Sequence, residues 1–122
     1  MKVLVIEDNP DNMVLICDIL ELNGYTTICA TTGRSGIELV QEREPDLILL
    51  DIQLPDIDGS EVLDIIRSSE KTNRTTVIAI TSYAMAGDRE RLINKGCDGY
   101  IEKPIDPNIV MKQIKSVIGD TV

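Results

Sequence analysis

Residues 45–55 read Pro-Asp-Leu-Ile-Leu-Leu-Asp-Ile-Gln-Leu-Pro, a run of four aliphatic residues that ends on a carboxylate, Asp51. A strand with one wet face alternates apolar and polar residues. A run without alternation suits a strand covered on both faces, as in a parallel sheet. Two other runs share this character, Val3-Leu4-Val5-Ile6 and Val77-Ile78-Ala79-Ile80, and Tyr100-Ile101 is a shorter version. The Thr-rich stretch 25–30 is weaker and suits an edge strand.

Capped helical stretches lie between these runs. Asn9-Pro10-Asp11 opens a segment with Met13, Ile16, Cys17 and Leu20 on one side, stopped by Asn23-Gly24. Residues 33–43 carry Ile37, Leu39 and Val40; residues 58–69 carry Val62, Leu63, Ile65 and Ile66. Residues 84–95 carry Met85, Leu92 and Ile93, with Gly87 loosening the start. Asp106-Pro107 reads as an N-cap followed by proline at the first helical position, opening a helix that ends at Gly119. Strand and helix alternate five times, the pattern of an α/β sheet with right-handed crossovers. At 122 residues, with no linker or repeat, one domain over 1–122 is expected.

Composition narrows the functions. Twelve Lys and Arg face 21 Asp and Glu, a formal charge of −9. Such a surface argues against nucleic acid, which needs a basic footprint, and against anionic membranes. The chain has no His, which removes His-based nucleophilic triads and His metal sites. With no Trp or Phe and three Tyr, a base-stacking surface is not expected. Cys17, Cys29 and Cys97 are far apart in sequence and form no CxxC; they read as small buried hydrophobes of a reducing compartment. No apolar stretch reaches membrane-spanning length, and the first residues run into Glu7-Asp8 rather than a signal peptide.

The chemistry collects where the strands end. The first run is followed by Glu7-Asp8, the second by Asp51, the third by Thr81-Ser82 and the last by Glu102-Lys103-Pro104. In an open α/β sheet ligands sit beyond the carboxyl ends of the strands. Any one of these acids alone reads as a helix cap or a solvated loop charge. Three acids, a hydroxyl and one ammonium on one edge read as a site. Clustered carboxylates need a cation or must take up a proton. Hard oxygen donors without His or Cys point to Mg²⁺. Lys103 and Thr81 then suit an anion, most simply a phosphoryl group.

These residues are also where the chain resembles a known family, the receiver domains of two-component response regulators, the CheY-like proteins. The matching stretches are 3–9 (VLVIEDN), 45–55 (PDLILLDIQLP), Gly59, 79–84 (AITSYA), 96–100 (GCDGY) and Glu102-Lys103-Pro104. Together they cover essentially the whole chain. Within the family it looks most like the single-domain DivK-like group, and also like receivers of hybrid kinases. The resemblance implies a doubly wound, flavodoxin-like sheet of five parallel strands in the order 2-1-3-4-5 with five helices. It implies that Asp51 is the phosphoacceptor. Asp8, Asp51 and the backbone carbonyl of Gln53 would hold Mg²⁺, with Glu7 acting through water. Lys103 would pair with Asp51 and then with the phosphoryl group. Thr81 and Tyr100 would be the switch hydroxyl and switch aromatic. The Lys103–Pro104 peptide is usually cis in the family, although X–Pro bonds in general prefer trans. Gln53 and Tyr83 would border the hydrolytic water; neither is a carboxylate, which implies slow loss of the phosphoryl group.

The resemblance therefore implies a phosphorylation-switched signalling module rather than an enzyme, working in the cytoplasm. Its donor would be a histidine kinase or phosphotransfer protein presenting phosphohistidine. Two alternatives stand beside it: an Mg²⁺-dependent aspartyl-phosphate phosphatase or hydrolase, and a receiver domain excised from a hybrid histidine kinase. The phosphatase usually has a second acid two residues beyond its nucleophile, where this chain has Gln53. A flavin-binding reading meets the acidic loop Glu7-Asp8-Asn9-Pro10, which repels phosphate without a metal. A calcium-loop reading around Asp56-Ile57-Asp58-Gly59 would put Leu54 and Ile65 at its first and last ligand positions.

Charge is uneven along the chain. Residues 1–83 hold 6 basic and 15 acidic residues, whereas residues 84–119 hold 6 and 5. That nearly neutral stretch is either a chance of composition or the face that docks a downstream protein without long-range repulsion.

Overall fold

The computed structural model describes residues 1–82 and 87–119. Five strands, β1 (Lys2–Ile6), β2 (Thr26–Ala30), β3 (Leu47–Asp51), β4 (Thr76–Thr81) and β5 (Gly99–Glu102), alternate with five helices, α1 (Pro10–Leu22), α2 (Gly33–Arg43), α3 (Gly59–Ser68), α4 (Asp88–Asn94) and α5 (Val110–Ile118). All neighbouring strands are parallel, in the order β2-β1-β3-β4-β5. This is the doubly wound order expected from the resemblance.

The unbroken apolar runs occupy the sheet's centre because both of its faces are covered. Every residue of β3 is buried. Val3, Val5, Leu47, Leu49, Ile78, Ile80 and Ile101 pack on one face with the apolar sides of α1 and α5. Leu4, Ile6, Ile48, Leu50, Val77 and Ala79 pack on the other with α2, α3 and Leu92 of α4. Burying one such aliphatic side chain contributes ~1.5–3 kcal/mol, so β1, β3 and β4 form a rigid base for whatever stands on their ends. The edge strand β2 has neighbours on one side only and alternates, with Ile28 and Ala30 in and Cys29 out.

Helix starts follow their caps. The Asn9 side chain accepts the Asn12 amide at 3.1 Å, and Thr32 with Ser35 forms a capping box at α2. Asp58 accepts the Ser60 amide at 2.8 Å and opens α3.

Two starts differ from expectation. Asp106 does not open α5. Its Oδ1 accepts the Asn108 amide at 2.9 Å, and its carbonyl accepts the amides of Ile109 and Val110, so residues 107–109 form a turn before the helix. A short acidic side chain competes for local amides in this way, and Pro107 sits in the turn. The fourth helix does not run through Gly87, which adopts a left-handed φ of 97° immediately before Asp88. Ala84 and Met85, expected in that helix, lie outside the described residues, as does Tyr83. The Lys103–Pro104 peptide is cis, as the resemblance implies and against the general preference for trans. The cysteines also depart from expectation. Cys17 and Cys97 are buried, but Cys29 is exposed because it takes an outward place on the edge strand.

Candidate functional site

Asp51 is the last residue of β3 and only 1% exposed. Two contacts fix the backbone beyond it. The Ile52 amide donates to the Ile80 carbonyl at 3.0 Å, and the Gly59 amide donates to the Ile52 carbonyl at 2.8 Å. A Cβ on residue 59 would lie 2.5 Å from both the Asp51 carbonyl oxygen and Ile52 Cα. Only glycine lets the first turn of α3 rest directly against the residue that follows Asp51. The placement of the acid thus depends on a residue eight positions later with no functional group.

Glu7 follows β1 and is also 1% exposed, whereas Asp8 faces solvent. One carboxylate oxygen from each of Glu7, Asp8 and Asp51 lies within 4.8 Å of the others. Lys103 follows β5, and its amide donates to the Thr81 carbonyl at 2.8 Å. This backbone link aims its side chain inward. Lys103 Nζ stands 3.1 Å from Asp51 Oδ2 and 3.0 Å from Glu7 Oε1. The Asp51 contact has hydrogen-bond geometry; Glu7 Oε1 is buried without a directed partner and is held by charge alone. One ammonium therefore faces two buried carboxylates, with a third, Asp8, beside them. The donor set is entirely oxygen, one buried oxygen has a lone pair to spare, and Asp8 opens to solvent. These features fit a hard divalent cation.

The protonation pattern follows from this crowding. Burial, and then the shared contact with Glu7, pushes the Asp51 carboxyl up to about 7. Burial acts on Glu7 in the same direction. It is outweighed by contacts with Asp51 and Lys103, the Asn9 amide and the Lys103 charge, so Glu7 ends below its usual range. Lys103 is likewise opposed by burial, but the two acids hold it above its usual value. Near neutral pH without a cation Glu7 is thus ionised while Asp51 is about half protonated.

The remaining expected residues stand around this centre. Gln53 donates its amide to Asp51 Oδ1 at 2.9 Å. Thr81 ends β4 and is buried. The register pairs Ala79 with Tyr100 and Thr81 with Glu102, so Thr81 and Tyr100 project from the same face of the sheet. Tyr100 is half-buried against the cluster under α2, α3 and α4. Pro104 is exposed at the rim.

Sequence reasoning missed one connection here. Gln53 Oε1 accepts both the Ser82 amide at 3.0 Å and the Ser82 hydroxyl at 2.8 Å, which ties the loop after β3 to the loop after β4. Ser82 was visible as a hydroxyl at a strand end. Nothing local announced a partner 29 residues away. Asp56 was similarly missed: its carboxylate accepts the Gly33 and Arg34 amides at 2.8 and 2.9 Å, capping α2 from a distant loop and lowering its own pKa.

Comparisons with known proteins agree with this architecture. The profile of the response regulator receiver domain matches residues 3–115. The polar-differentiation response regulator DivK of Brucella ovis is 44% identical over 119 residues, covering 98% of this chain and 97% of DivK. The receiver domain of sensor histidine kinase PA1611 from Pseudomonas aeruginosa PAO1 was solved with a magnesium ion coordinated in the active-site cleft. It superposes with a TM-score of 0.86 at 31% identity, covering 98% of each chain. The chemotaxis response regulator CheY4 of Vibrio cholerae shares the fold, with a TM-score of 0.90 at 23% identity over 95% of this chain and 97% of CheY4.

Proposed function

This chain belongs to the response regulator receiver domain family of two-component signalling, and from that premise we propose that Asp51 is its phosphoacceptor and that the rim around it carries out the transfer. The donor is a phosphohistidine on a partner histidine kinase or phosphotransfer protein, met in the cytoplasm. An Asp51 carboxylate oxygen attacks phosphorus, the P–N bond breaks, and its electron pair leaves on the imidazole nitrogen. The product is an acyl phosphate on Asp51. The observation that carries this reading is the pairing of a buried acid at the end of β3 with a single ammonium 3.1 Å away, beside two further carboxylates.

Asp8, Asp51 and the Gln53 carbonyl, with Glu7 through water, would hold Mg²⁺, which when bound favours the ionised form of Asp51 and offsets charge on the phosphoryl oxygens. The residues of the chain do the rest. Glu7 stays ionised and keeps Lys103 protonated. Lys103 exchanges its contact with Asp51 for one with a phosphoryl oxygen. Thr81 donates its hydroxyl to the phosphoryl group, and Tyr100, on the same face, follows into the vacated space. The new group brings about −1.5 to −2 of charge and favours the conformation that contacts it better. Residues 84–119 then present the altered face to a downstream protein. Nearly balanced charge and the exposed Ile93 and Ile109 support that use.

Acetyl phosphate supplies a test. The intact protein should gain about 80 Da, the mass of a phosphoryl group, in Mg²⁺ and not in EDTA. Asp51→Asn should gain nothing. Equal labelling of Asp51→Asn, or labelling indifferent to EDTA, refutes the assignment.

A further inference from the structure

The expectation that all three cysteines are small buried hydrophobes fails at Cys29. Cys17 lies on α1 and Cys29 on β2, yet their Sγ atoms are 3.4 Å apart. Cys29 is exposed and Cys17 is buried directly behind it. Met13 Sδ lies 3.7 Å from Cys17 Sγ. Cys97 is separate: it is buried and donates its thiol to the Gly99 carbonyl at 3.1 Å.

We propose that Cys17 and Cys29 form an oxidation-sensitive dithiol that closes to an intramolecular disulfide when a peroxide reaches Cys29. The Sγ atoms must approach by a little over an ångström to reach the ~2.05 Å of a disulfide, within reach of side-chain motion at an edge strand. The order of events follows from exposure. The Cys29 thiolate attacks a peroxide oxygen; the O–O bond breaks, leaving a sulfenic acid on Cys29 and, after protonation, water. Cys17 sulfur then attacks the Cys29 sulfur, the S–O bond breaks, and the departing hydroxide takes the Cys17 proton as a second water. Two thiols are oxidised and one peroxide is reduced. Cys17 is a poor first nucleophile, because burial and the neighbouring Cys29 push its thiol up to about 12. Oxidation of Cys29 removes the thiolate charge that opposes its ionisation. Reversible disulfides of this kind are the form cysteine sensing takes in reducing compartments. The product would tie α1 to the edge strand, which otherwise pairs with β1 alone.

The sequence makes the test direct. No Lys or Arg lies between Lys2 and Arg34, so one tryptic peptide, residues 3–34, carries both thiols, while Cys97 falls in another. The reduced full chain is treated with hydrogen peroxide, alkylated without reductant, digested and weighed. Peptide 3–34 should escape alkylation and be lighter than the reduced peptide by about 2 Da, and dithiothreitol should restore both thiols. Cys97 should remain alkylatable. Cys29→Ser should leave Cys17 alkylatable after the same treatment. Cys17→Ala should stall as a sulfenic acid on Cys29 that dimedone captures. Amide exchange of residues 26–30 should slow after oxidation and recover on reduction. The proposal fails if the parent keeps both thiols alkylatable, if Cys29 oxidises irreversibly with Cys17 free, or if the only disulfide joins two chains.

Discussion

Arg67 and Lys103 are both partly buried cations, each placed between elements at an end of the sheet, and they are satisfied to very different degrees. Arg67 closes the end where β4 and β5 begin. Its guanidinium donates to the Gly96 carbonyl at 2.9 Å, the Thr75 carbonyl at 2.7 Å, the Thr72 carbonyl at 3.4 Å and Asp98 Oδ2 at 3.0 Å. Asp98 Oδ2 also accepts the Val77 amide at 2.9 Å. Arg67 and Asp98 thus form a balanced pair, and three further guanidinium contacts end on carbonyls. Lys103, at the opposite end, faces Glu7 and Asp51 with one charge for two, and Glu7 Oε1 has no directed partner. The balanced end holds the fold together. The unbalanced end stores unfavourable charge that a cation or a proton relieves. A site can therefore be recognised by what the protein leaves uncompensated while compensating the same residue types elsewhere.

The largest expected effect breaks the balanced end. Arg67→Met keeps the aliphatic stem and removes the guanidinium, leaving three carbonyls and Asp98 to find other partners. Urea unfolding should show a loss of ~2–4 kcal/mol. Labelling by acetyl phosphate should persist under conditions where the variant stays folded. A loss below half a kcal/mol, or abolished labelling of the folded variant, would erase the distinction between the two ends.

Asp51→Asn should act with the opposite sign. A carboxyl whose pKa rises on folding, here from 3.8 to about 7, is comfortable when protonated. Its contribution is favourable at low pH and is lost as pH rises from about 4 to 7. Glu7 shifts the other way, so its contribution holds above its ordinary 4.5 and is lost on acidification. The Lys103 contribution is complete below 10.5 and is lost only in stronger alkali. At pH 8 without metal, Asp51 is thus the unfavourable member. Replacing it by Asn should raise stability by ~1–3 kcal/mol. The gain should shrink below pH 5 and in saturating Mg²⁺. A variant less stable than the parent at pH 8 would show the rim to be balanced after all.

The same proton competes with metal. Mg²⁺ affinity should fall by up to tenfold for each pH unit below about 7, because binding displaces the proton from Asp51. Calorimetry in two buffers of different ionisation heat would count the protons released. Binding independent of pH between 5 and 7, with no proton release, contradicts the assignment of that proton to Asp51.

How much of this was legible in the sequence depended on whether the physics was local. The β3 run reads as a doubly covered strand because four consecutive aliphatics, Leu47 to Leu50, admit no wet face. Asn9 reads as the opening of α1 because its side chain bonds within three residues, and Thr32 and Asp58 cap α2 and α3 by the same local chemistry. Strand ends could be located, and the open-sheet rule then brought Glu7, Asp8, Asp51 and Lys103 to one rim before any distance was known. Failures came where a residue had a choice of partners. Asp106 spent its side chain on a turn rather than on α5. Cys29 was placed by its outward position on an edge strand, which a stretch as short as 25–30 does not disclose. Gln53 and Ser82, Asp56 and α2, and Arg67 and its carbonyls are meetings of distant segments. Their residue types fit solvent equally well, so no local signal distinguishes them.

The smallest expected effect sharpens the comparison inside the rim itself. Gln53 contributes to it twice, and the two contributions can be separated. Its backbone amide reaches Asp51 Oδ1 and survives any side-chain change, while its side chain holds Ser82 by two exposed hydrogen bonds. Exposed neutral hydrogen bonds contribute little net stability, so Gln53→Ala should cost less than about 1 kcal/mol. Labelling of Asp51 should continue, since the side chain holds nothing at the acid. The local consequence should be larger than the global one: the Ser82 amide loses its acceptor and should exchange faster, while amides of β3 are unchanged. Gln53→Glu separates geometry from charge. Its carboxylate can accept the same two bonds, so Ser82 should stay protected. A further negative charge beside Asp51 should nonetheless push that acid higher and steepen the pH dependence of metal binding. If Gln53→Glu loosens Ser82 as much as Gln53→Ala does, the link depends on the amide group itself rather than on an acceptor at that position.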